Sequence, residues 1–245
     1  MSLKIGIGLS FYNDFDSLRR MLQSCQSYPI DKIIAVDGKY EGYPDKADLS
    51  TKECRDLFKA FQTPYVIVDA PNLPQPQKRQ VYFDQAQKHS LDIIIVVDTD
   101  EYFLSARTDW PLFIDNLRQQ IANHAHTWRQ AYCIPTYLTH KGTQKMPDSY
   151  VENLPRIFHQ PWKLTYVEDH YSIRNKTTGV LMTFEGNPVI EGIALGHDHD
   201  LRTKKYNANT KMYEEQLIEL ENKQRDQKRI EFSDSLYKQN HNPKA

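Results

Sequence analysis

Four short apolar runs, separated by stretches with helical spacing, constrain the fold of this chain more than any other sequence feature. The runs cover residues 4–10, 32–36, 65–68 and 93–97. A strand that is apolar throughout has both faces buried, and strands separated by helices pair in parallel with the helices covering the sheet. The pattern therefore predicts an α/β fold built on a mostly parallel sheet flanked by helices.

Helix signals fill the segments between these runs. Apolar residues recur at helical spacing over residues 15–25, which predicts a first amphipathic helix. Ser50 and Glu53 form a capping box ahead of a second amphipathic stretch. Two further helices are predicted over residues 77–89 and 109–124.

The second half of the chain has shorter and more aromatic strand signals, which favour a mixed or antiparallel extension of the sheet. These strands are predicted over residues 131–138, 156–158, 164–167, 180–184 and 189–195. A charged stretch over residues 203–229 then favours a C-terminal helix with Tyr206, Met212 and Tyr213 on its buried side, followed by a polar tail.

Composition excludes several classes of protein. With 39% hydrophobic residues in 245, the chain is not predominantly disordered, and a net charge of −1 provides no basic field for nucleic acid. The longest apolar run, residues 93–97, is too short to cross a bilayer, and residues 1–14 do not read as a signal peptide. Three scattered cysteines lack metal spacing. We expect a reduced, cytoplasmic protein of unspecified oligomeric state.

Three of the predicted strands end in an acid, namely Asp37, Asp69 and Asp98. Since ligands of such sheets bind outside the carboxyl ends of the strands, this edge is predicted to be an acidic binding site. Asp98 also begins a D-x-D motif with Asp100, and alternate residues leaving a strand can place two carboxylates on one side of Mn²⁺ or Mg²⁺, whose coordination substrate phosphates complete. The alternative interpretation is a strand-end loop with solvated acids.

A segment upstream of this motif, residues 72–80 (Asn-Leu-Pro-Gln-Pro-Gln-Lys-Arg-Gln), resembles the N-x-G-x-x-x-A-R-N pattern of family 2 glycosyltransferases of the GT-A fold. Residues 10–13 (Ser-Phe-Tyr-Asn) look like the family's P-T-Y-N, and residues 35–38 (Ala-Val-Asp-Gly) look like its V-D-D-G. The resemblance covers residues 4–103. The chain departs from the pattern at Ser10, Phe11, Pro74, Lys78 and Gln80.

The resemblance implies a Rossmann-like GT-A fold and a nucleotide diphosphate sugar as donor. It implies that Tyr12 and Asp37 line the nucleoside pocket, that Asp69 and Arg79 lie nearby, and that Asp98 belongs to both the donor and the metal site. An Asp can accept from a base or ribose donor, and Arg79 can donate to a carbonyl or phosphate. The other interpretation of Arg79 is a salt bridge on a helix surface.

The second half resembles the same family in fewer places. Residues 154–158 (Leu-Pro-Arg-Ile-Phe) look like its R-L-F region, and Glu168 and Asp169 resemble the acidic pair from which inverting members take their catalytic base. The pair could equally begin a turn. His197 is the candidate for a third metal ligand, delivered by the strand over residues 189–195 with Gly196 as a sharp exit. A zinc pair with His199 and a polar surface turn are the alternatives.

Together these features predict a metal-dependent glycosyltransferase acting on an unknown glycan, lipid or protein acceptor. Residues 1–103 would bind the nucleotide sugar, residues 104–200 would form the acceptor side of the same domain, and residues 201–245 a helical segment and tail. A nucleotidyltransferase is the alternative enzyme, although it should carry a glycine-rich phosphate loop after the first strand. A catalytically inactive nucleotide-sugar-binding module is the alternative without activity.

Overall fold

The computed structural model describes residues 3–124, 130–140, 143–144, 151–167, 172–182, 186–198, 206–207, 212–213, 223 and 227. Contacts along the backbone divide the chain into two compact units, Met1–Thr203 and Lys204–Ala245.

The first half of the larger unit is a four-stranded parallel sheet in the order β3-β2-β1-β4. Its strands are β1 (Ile5–Phe11), β2 (Lys32–Asp37), β3 (Tyr65–Asp69) and β4 (Ile93–Val96), and its helices are α1 (Phe15–Cys25), α2 (Lys52–Asp56) and α3 (Gln75–Lys88). The predicted strands are confirmed to within one residue at each end. Each of the first three extends one residue further than predicted.

The predicted capping box is wrong by one position. Thr51 caps α2 by accepting from the backbone N–H of Cys54 at 3.4 Å. The Ser50 hydroxyl instead accepts from the backbone N–H of Asn13 at 3.0 Å. This hydrogen bond joins the segment before α2 to the segment that follows β1. After α2 the chain tightens into a 3-10 turn over Leu57–Ala60.

The same sheet continues past β4 in the order β8-β6-β12-β5, with both parallel and antiparallel pairs. The elements of this half are β5 (Glu101–Phe103), α4 (Trp110–Asn123), β6 (Ala131–His140), β7 (Thr143–Gln144), β8 (Val151–His159) and β12 (Leu195–His197). β8 is antiparallel to both of its neighbours, β4 and β6, and β12 is parallel to β6. The predicted mixed extension is therefore confirmed.

A small antiparallel sheet packs with α3 on one side of the large sheet. It consists of β9 (Leu164–Tyr166), β10 (Ile173–Asn175) and β11 (Leu181–Met182). The core has two parts. One joins α1, α2 and α4 to the sheet, and the other joins α3 and the small sheet to it. Helices thus cover both faces, as the apolar strands require.

The predicted strand over residues 189–195 is wrong. Val189 makes only an isolated bridge to Cys133, and a turn at Gly192 follows before β12 begins at Leu195. Gly192 has a φ of +83°, and a Cβ added there would clash with the backbone of Phe113, so no side chain fits. Gly196 is not an exit from a strand but the middle of β12, where an added Cβ would lie 2.6 Å from the Tyr102 ring.

The predicted C-terminal helix is wrong at its start. Residues of the smaller unit form an antiparallel pair, β13 (Tyr206–Asn207) with β14 (Met212–Tyr213). Lys223 and Gln227 are helical, and the rest of the predicted helix lies outside the described residues.

Cys25, Cys54 and Cys133 are all buried and free. Within the described part of the chain, no helix has the length and apolar character needed to span a bilayer.

Candidate functional site

The carboxyl ends of β1 to β4 lie along one edge of the sheet, which we call the strand-end edge. Phe11 pairs in register with Asp37, and Asp37 with Asp69, so the ends of the first three strands are neighbours. Val97, the residue before Asp98, donates to the carbonyl of Gly8 on β1 at 3.0 Å. The strand ends therefore bring Asp37, Asp69 and Asp98 to a common edge, as their positions in the sequence predict.

Asp37 and Asp69 share one cation, Arg55 of α2. Its Nη1 donates to Asp37 and to Asp69, each at 2.8 Å. Asp37 is fully buried and also accepts from the backbone N–H of Ser50, at 3.1 and 3.3 Å, whereas about half of the Asp69 side chain is exposed. To bind Asp37, a hydrogen-bond donor of a nucleoside would have to displace Arg55 or the Ser50 backbone N–H. Sequence reasoning missed Arg55, whose only signal is its place on a helix following β2.

Tyr12 lies beneath the segment of residues 38–50, which we call loop 38–50. The Tyr12 hydroxyl donates to the carbonyl of Ala47 at 2.8 Å, and its ring lies 6.1 Å edge-on from that of Tyr43. Tyr43 in turn lies 5.7 Å from the Tyr40 ring. Lys39 and Asp48 close the loop with an ion pair of 3.0 Å. An aromatic cluster thus borders the strand-end edge beside Tyr12.

Lys78, one of the departures from the family pattern, is buried under the same loop. Its ammonium group donates to the carbonyl of Gly38 and lies 4.2 Å from the centre of the Tyr40 ring. Burial lowers the pKa of Lys78 to about 8, against the opposing effect of the Asp37 charge. Lys78 therefore holds the first residues of loop 38–50 against α3.

Arg79 is a buried residue, so its interpretation as a helix-surface salt bridge is wrong. Its Nη2 donates to both oxygens of Asp98, at 2.8 and 2.9 Å. Arg156 of β8 donates to Oδ2 of the same carboxylate at 3.0 Å, and also to Glu101 at 2.5 Å. Glu101 accepts in addition from the backbone N–H of Asp98 at 2.8 Å.

Arg156 and Glu101 were not assigned a role from the sequence. The signal for Arg156 is a cation inside an apolar strand, residues 154–158, which cannot be buried without an acidic partner. Burial raises the pKa of Glu101 above its ordinary value, although the Arg156 guanidinium opposes that shift. The pair ties β8 to the turn that carries Asp98.

Asp100 and His197 face each other at the D-x-D turn. His197 Nε2 lies 3.3 Å from Asp100 Oδ2, and the backbone N–H of Asp198 donates to the Asp100 carbonyl at 2.9 Å. Burial lowers the pKa of His197, but the hydrogen bond and charge of Asp100, with the charge of Glu101, outweigh it, so the pKa is raised. His197 lies in β12 and is not part of a surface turn. His199 lies outside the described residues.

Asp100 and His197 offer two protein ligands of the kind that a divalent cation accepts. Two ligands of one ion lie about 3 Å apart when each is about 2.1 Å from it in octahedral geometry, which is close to the separation of Asp100 Oδ2 and His197 Nε2. The described residues contain no group of three acids, histidines or cysteines that could hold a metal. Asp98, bound by two guanidinium groups, would reach such an ion through water or after exchange with an arginine.

The predicted catalytic base lies outside the described residues. β9 ends at Tyr166, and the described segment that contains it ends at Val167, so no position is assigned to Glu168 or Asp169. Their role stays a prediction.

No family model matches this chain, and no curated protein matches it in sequence. Several solved structures are similar at low identity. A cytidylyltransferase from Leptospira borgpetersenii is 13% identical, with 65% of this chain and 61% of the other covered and a TM-score of 0.35. Glucosyl-3-phosphoglycerate synthase from M. tuberculosis is 14% identical, with 58% and 46% covered and a TM-score of 0.34.

A putative glucose-1-phosphate thymidylyltransferase from Bacillus anthracis is 11% identical, with 80% and 72% covered and a TM-score of 0.36. This chain spans less than two thirds of the first two of these proteins. At scores this low the likenesses assign no family, and the strand order and the residues of the strand-end edge are what characterise this chain.

Proposed function

We propose that this chain is a glycosyltransferase that transfers a sugar from a nucleoside diphosphate donor to an acceptor and uses a divalent cation. The observation that carries the proposal is the turn of residues 98–100 directly after the fourth parallel strand, with Asp100 facing His197. Ligands of α/β sheets bind at this edge, and carboxylates at such a position suit a cation that also binds phosphate oxygens.

The donor's diphosphate suits the Asp98 part of the strand-end edge. Arg79 and Arg156 both bring guanidinium groups there, and the planar fork of an arginine matches phosphate oxygens. The nucleoside would then lie toward Tyr12 and loop 38–50, whose aromatic rings offer stacking partners for a base. Asp37 and Asp69 would bind it by accepting a hydrogen bond from the nucleoside in place of the present one from Arg55 or Ser50.

Asp100 and His197 would hold Mn²⁺ or Mg²⁺, with Asp98 beside them. When bound, the ion would neutralise the departing diphosphate, so that no acid is needed to protonate it. The chain's own contribution is to orient the two ligands. The β5–β12 pair sets the position of His197, and the hydrogen bond from the Asp198 backbone fixes the Asp100 carbonyl.

For an inverting reaction, Asp169 or Glu168 is proposed as the base that takes the proton of the acceptor hydroxyl. In a retaining reaction this role disappears. The acceptor, a glycan, lipid or protein, would approach from the side formed by residues 104–200.

The segment at the end of β1 does not favour the nucleotidyltransferase alternative. A glycine-rich loop there would cradle the triphosphate of the substrate. In this chain β1 passes through residues 12–14 (Tyr-Asn-Asp) directly into α1, without a glycine.

The test is release of nucleoside diphosphate from UDP-, GDP- and dTDP-sugars, with and without Mn²⁺. We expect Mn²⁺-dependent release with one base, and a loss of about a hundredfold in Asp100→Ala because the cation is bound poorly. Asp115→Ala, which changes an exposed acid on α4, is the matched control. Normal turnover in Asp100→Ala, or pyrophosphate formed from a nucleoside triphosphate and a sugar phosphate, would contradict the proposal.

A further inference from the structure

A cavity of about 620 Å³ lies between α1 and the segment that runs from β5 into the following 3-10 turn, Ser105–Arg107. Its walls include Arg20 on α1, Tyr102 on β5 and Thr139 on β6. A volume of this size is typical of pockets that hold a small organic ligand. None of the residues proposed above for the donor, the metal or the base lines it.

The lining has an unusual charge for this protein. The whole chain has 32 Asp and Glu residues and a net charge of −1, yet none of the described residues that line the cavity is acidic, and two of them are the arginines Arg20 and Arg107. The other polar groups are hydroxyls and one amide, from Gln23, Ser24, Ser27, Tyr28, Ser105 and Thr139. Such a lining favours an anion that also carries hydroxyl groups.

Both guanidinium groups are oriented by aromatic rings. Arg20 Cζ lies 3.8 Å from the centre of the Tyr102 ring, and Arg107 Cζ lies 4.5 Å from that of Tyr137. A guanidinium stacked on a ring keeps its N–H groups pointing outward in its own plane, where they can donate to a carboxylate or phosphate. Arg20 uses one of these groups to donate to Asp198 at 3.3 Å, and Arg107 uses one to donate to the Tyr137 hydroxyl at 3.3 Å.

Tyr102 contributes its ring to the wall of the cavity. Its side chain is 7% exposed, and its hydroxyl is buried beside Gly196 of β12, out of reach of a molecule in the cavity. The ring therefore serves to hold the Arg20 guanidinium at the cavity wall.

We propose that this cavity is a second ligand site, for a small polyhydroxylated anion such as a sugar acid or a polyol phosphate. The arginine forks bind the carboxylate or phosphate, and the surrounding hydroxyls bind the polyol part. The proposal does not depend on the donor site, since the two sets of residues do not overlap.

The test is equilibrium binding, by calorimetry, of glucuronate and glycerol phosphate, with uncharged glucose as the reference. We expect saturable one-site binding of at least one anion at millimolar concentration, and no measurable binding of glucose. Arg107→Gln should weaken it by about tenfold, because a charge-assisted hydrogen bond is lost. Ser27→Trp should abolish it by filling the cavity. Arg19→Gln, which changes an exposed arginine of α1 that does not line the cavity, should leave it unchanged.

The placement of the site is tested by repeating the titration with UDP, GDP and dTDP and Mn²⁺ present. Unchanged anion affinity supports a separate site, whether or not these nucleotides bind. Competition with any of the nucleotides, equal binding of glucose, unchanged affinity in both cavity variants, or no binding of either anion would each overturn the proposal.

Discussion

At the scale of single residues, buried charges shape the strand-end edge. Lys78 is the clearest case, since its ammonium group is enclosed by the carbonyl of Gly38 and the Tyr40 ring. Its pKa of about 8 in the folded protein lies below the ordinary lysine value of about 10.4. The unfolded chain therefore binds more protons than the folded one between these two pH values, and the free energy of unfolding should rise with pH across that window.

We expect wild type to gain about 3 kcal/mol of stability between pH 8 and pH 10.5 from this residue, as an upper limit. Lys78→Met should lack this gain, so the difference in free energy of unfolding between the two proteins should change with pH. Urea unfolding at several pH values measures it. In the control variant Lys88→Met, on the exposed side of α3, the free energy of unfolding should change with pH as it does in wild type.

Removal of the Arg156 guanidinium should also lower the free energy of unfolding. In Arg156→Met the buried Glu101 loses its cation and Asp98 loses one of two. We expect a loss of about 3 kcal/mol in free energy of unfolding, as for other broken buried ion pairs. Adding Glu101→Gln should recover part of it. A loss no larger than that of Arg118→Met, which changes a half-exposed arginine of α4, would show that the pair has no such role.

At the scale of elements, the β5–β12 pair positions the proposed metal ligands. Gly196 lies opposite Tyr102 in this pair, and its lack of a side chain lets the ring lie across β12. Gly196→Ala should destabilise the protein by about 1–3 kcal/mol through overpacking. It should also raise the Mn²⁺ concentration needed for activity. In the double variant with Tyr102→Ala, the loss in free energy of unfolding should be smaller than the sum of the two single losses. An additive loss would mean that the two residues are not coupled through their contact.

Element by element, the parts of the fold that depend on local pattern were predictable. The apolar runs and helical spacing of the first half predict β1 to β4 and α1 to α3, and the acids after the strands predict the strand-end edge. The turn at Gly192 was not predictable because it depends on a close approach to α4, which adjacent residues do not reveal. Arg55, Arg156 and Glu101 were missed for the same reason, since their partners are distant in sequence.

At the scale of the whole molecule, a bound donor should stabilise the fold by mass action. If one nucleoside diphosphate binds together with Mn²⁺, the midpoint temperature of thermal unfolding should rise with ligand concentration. At a concentration of a hundred times Kd, the free energy of unfolding should be higher by about 2.7 kcal/mol. Removal of the cation with EDTA should cancel most of this gain. A midpoint that responds equally to UDP, GDP and dTDP without Mn²⁺ would count against a specific, cation-dependent site.

The placement of β8 between β4 and β6 has a consequence for how the protein is made. Arg156 and Asp98 are 58 residues apart, so during synthesis β4 emerges long before the strand that covers its edge. Until then the apolar edge of Ile93–Val96 is open to pairing with another chain. We expect chains that stop before residue 150 to aggregate on expression, and chains that include β8 to do so less, as measured by the fraction recovered after centrifugation. Nascent chains of this protein would therefore be most vulnerable to aggregation while residues 104–150 are being synthesised.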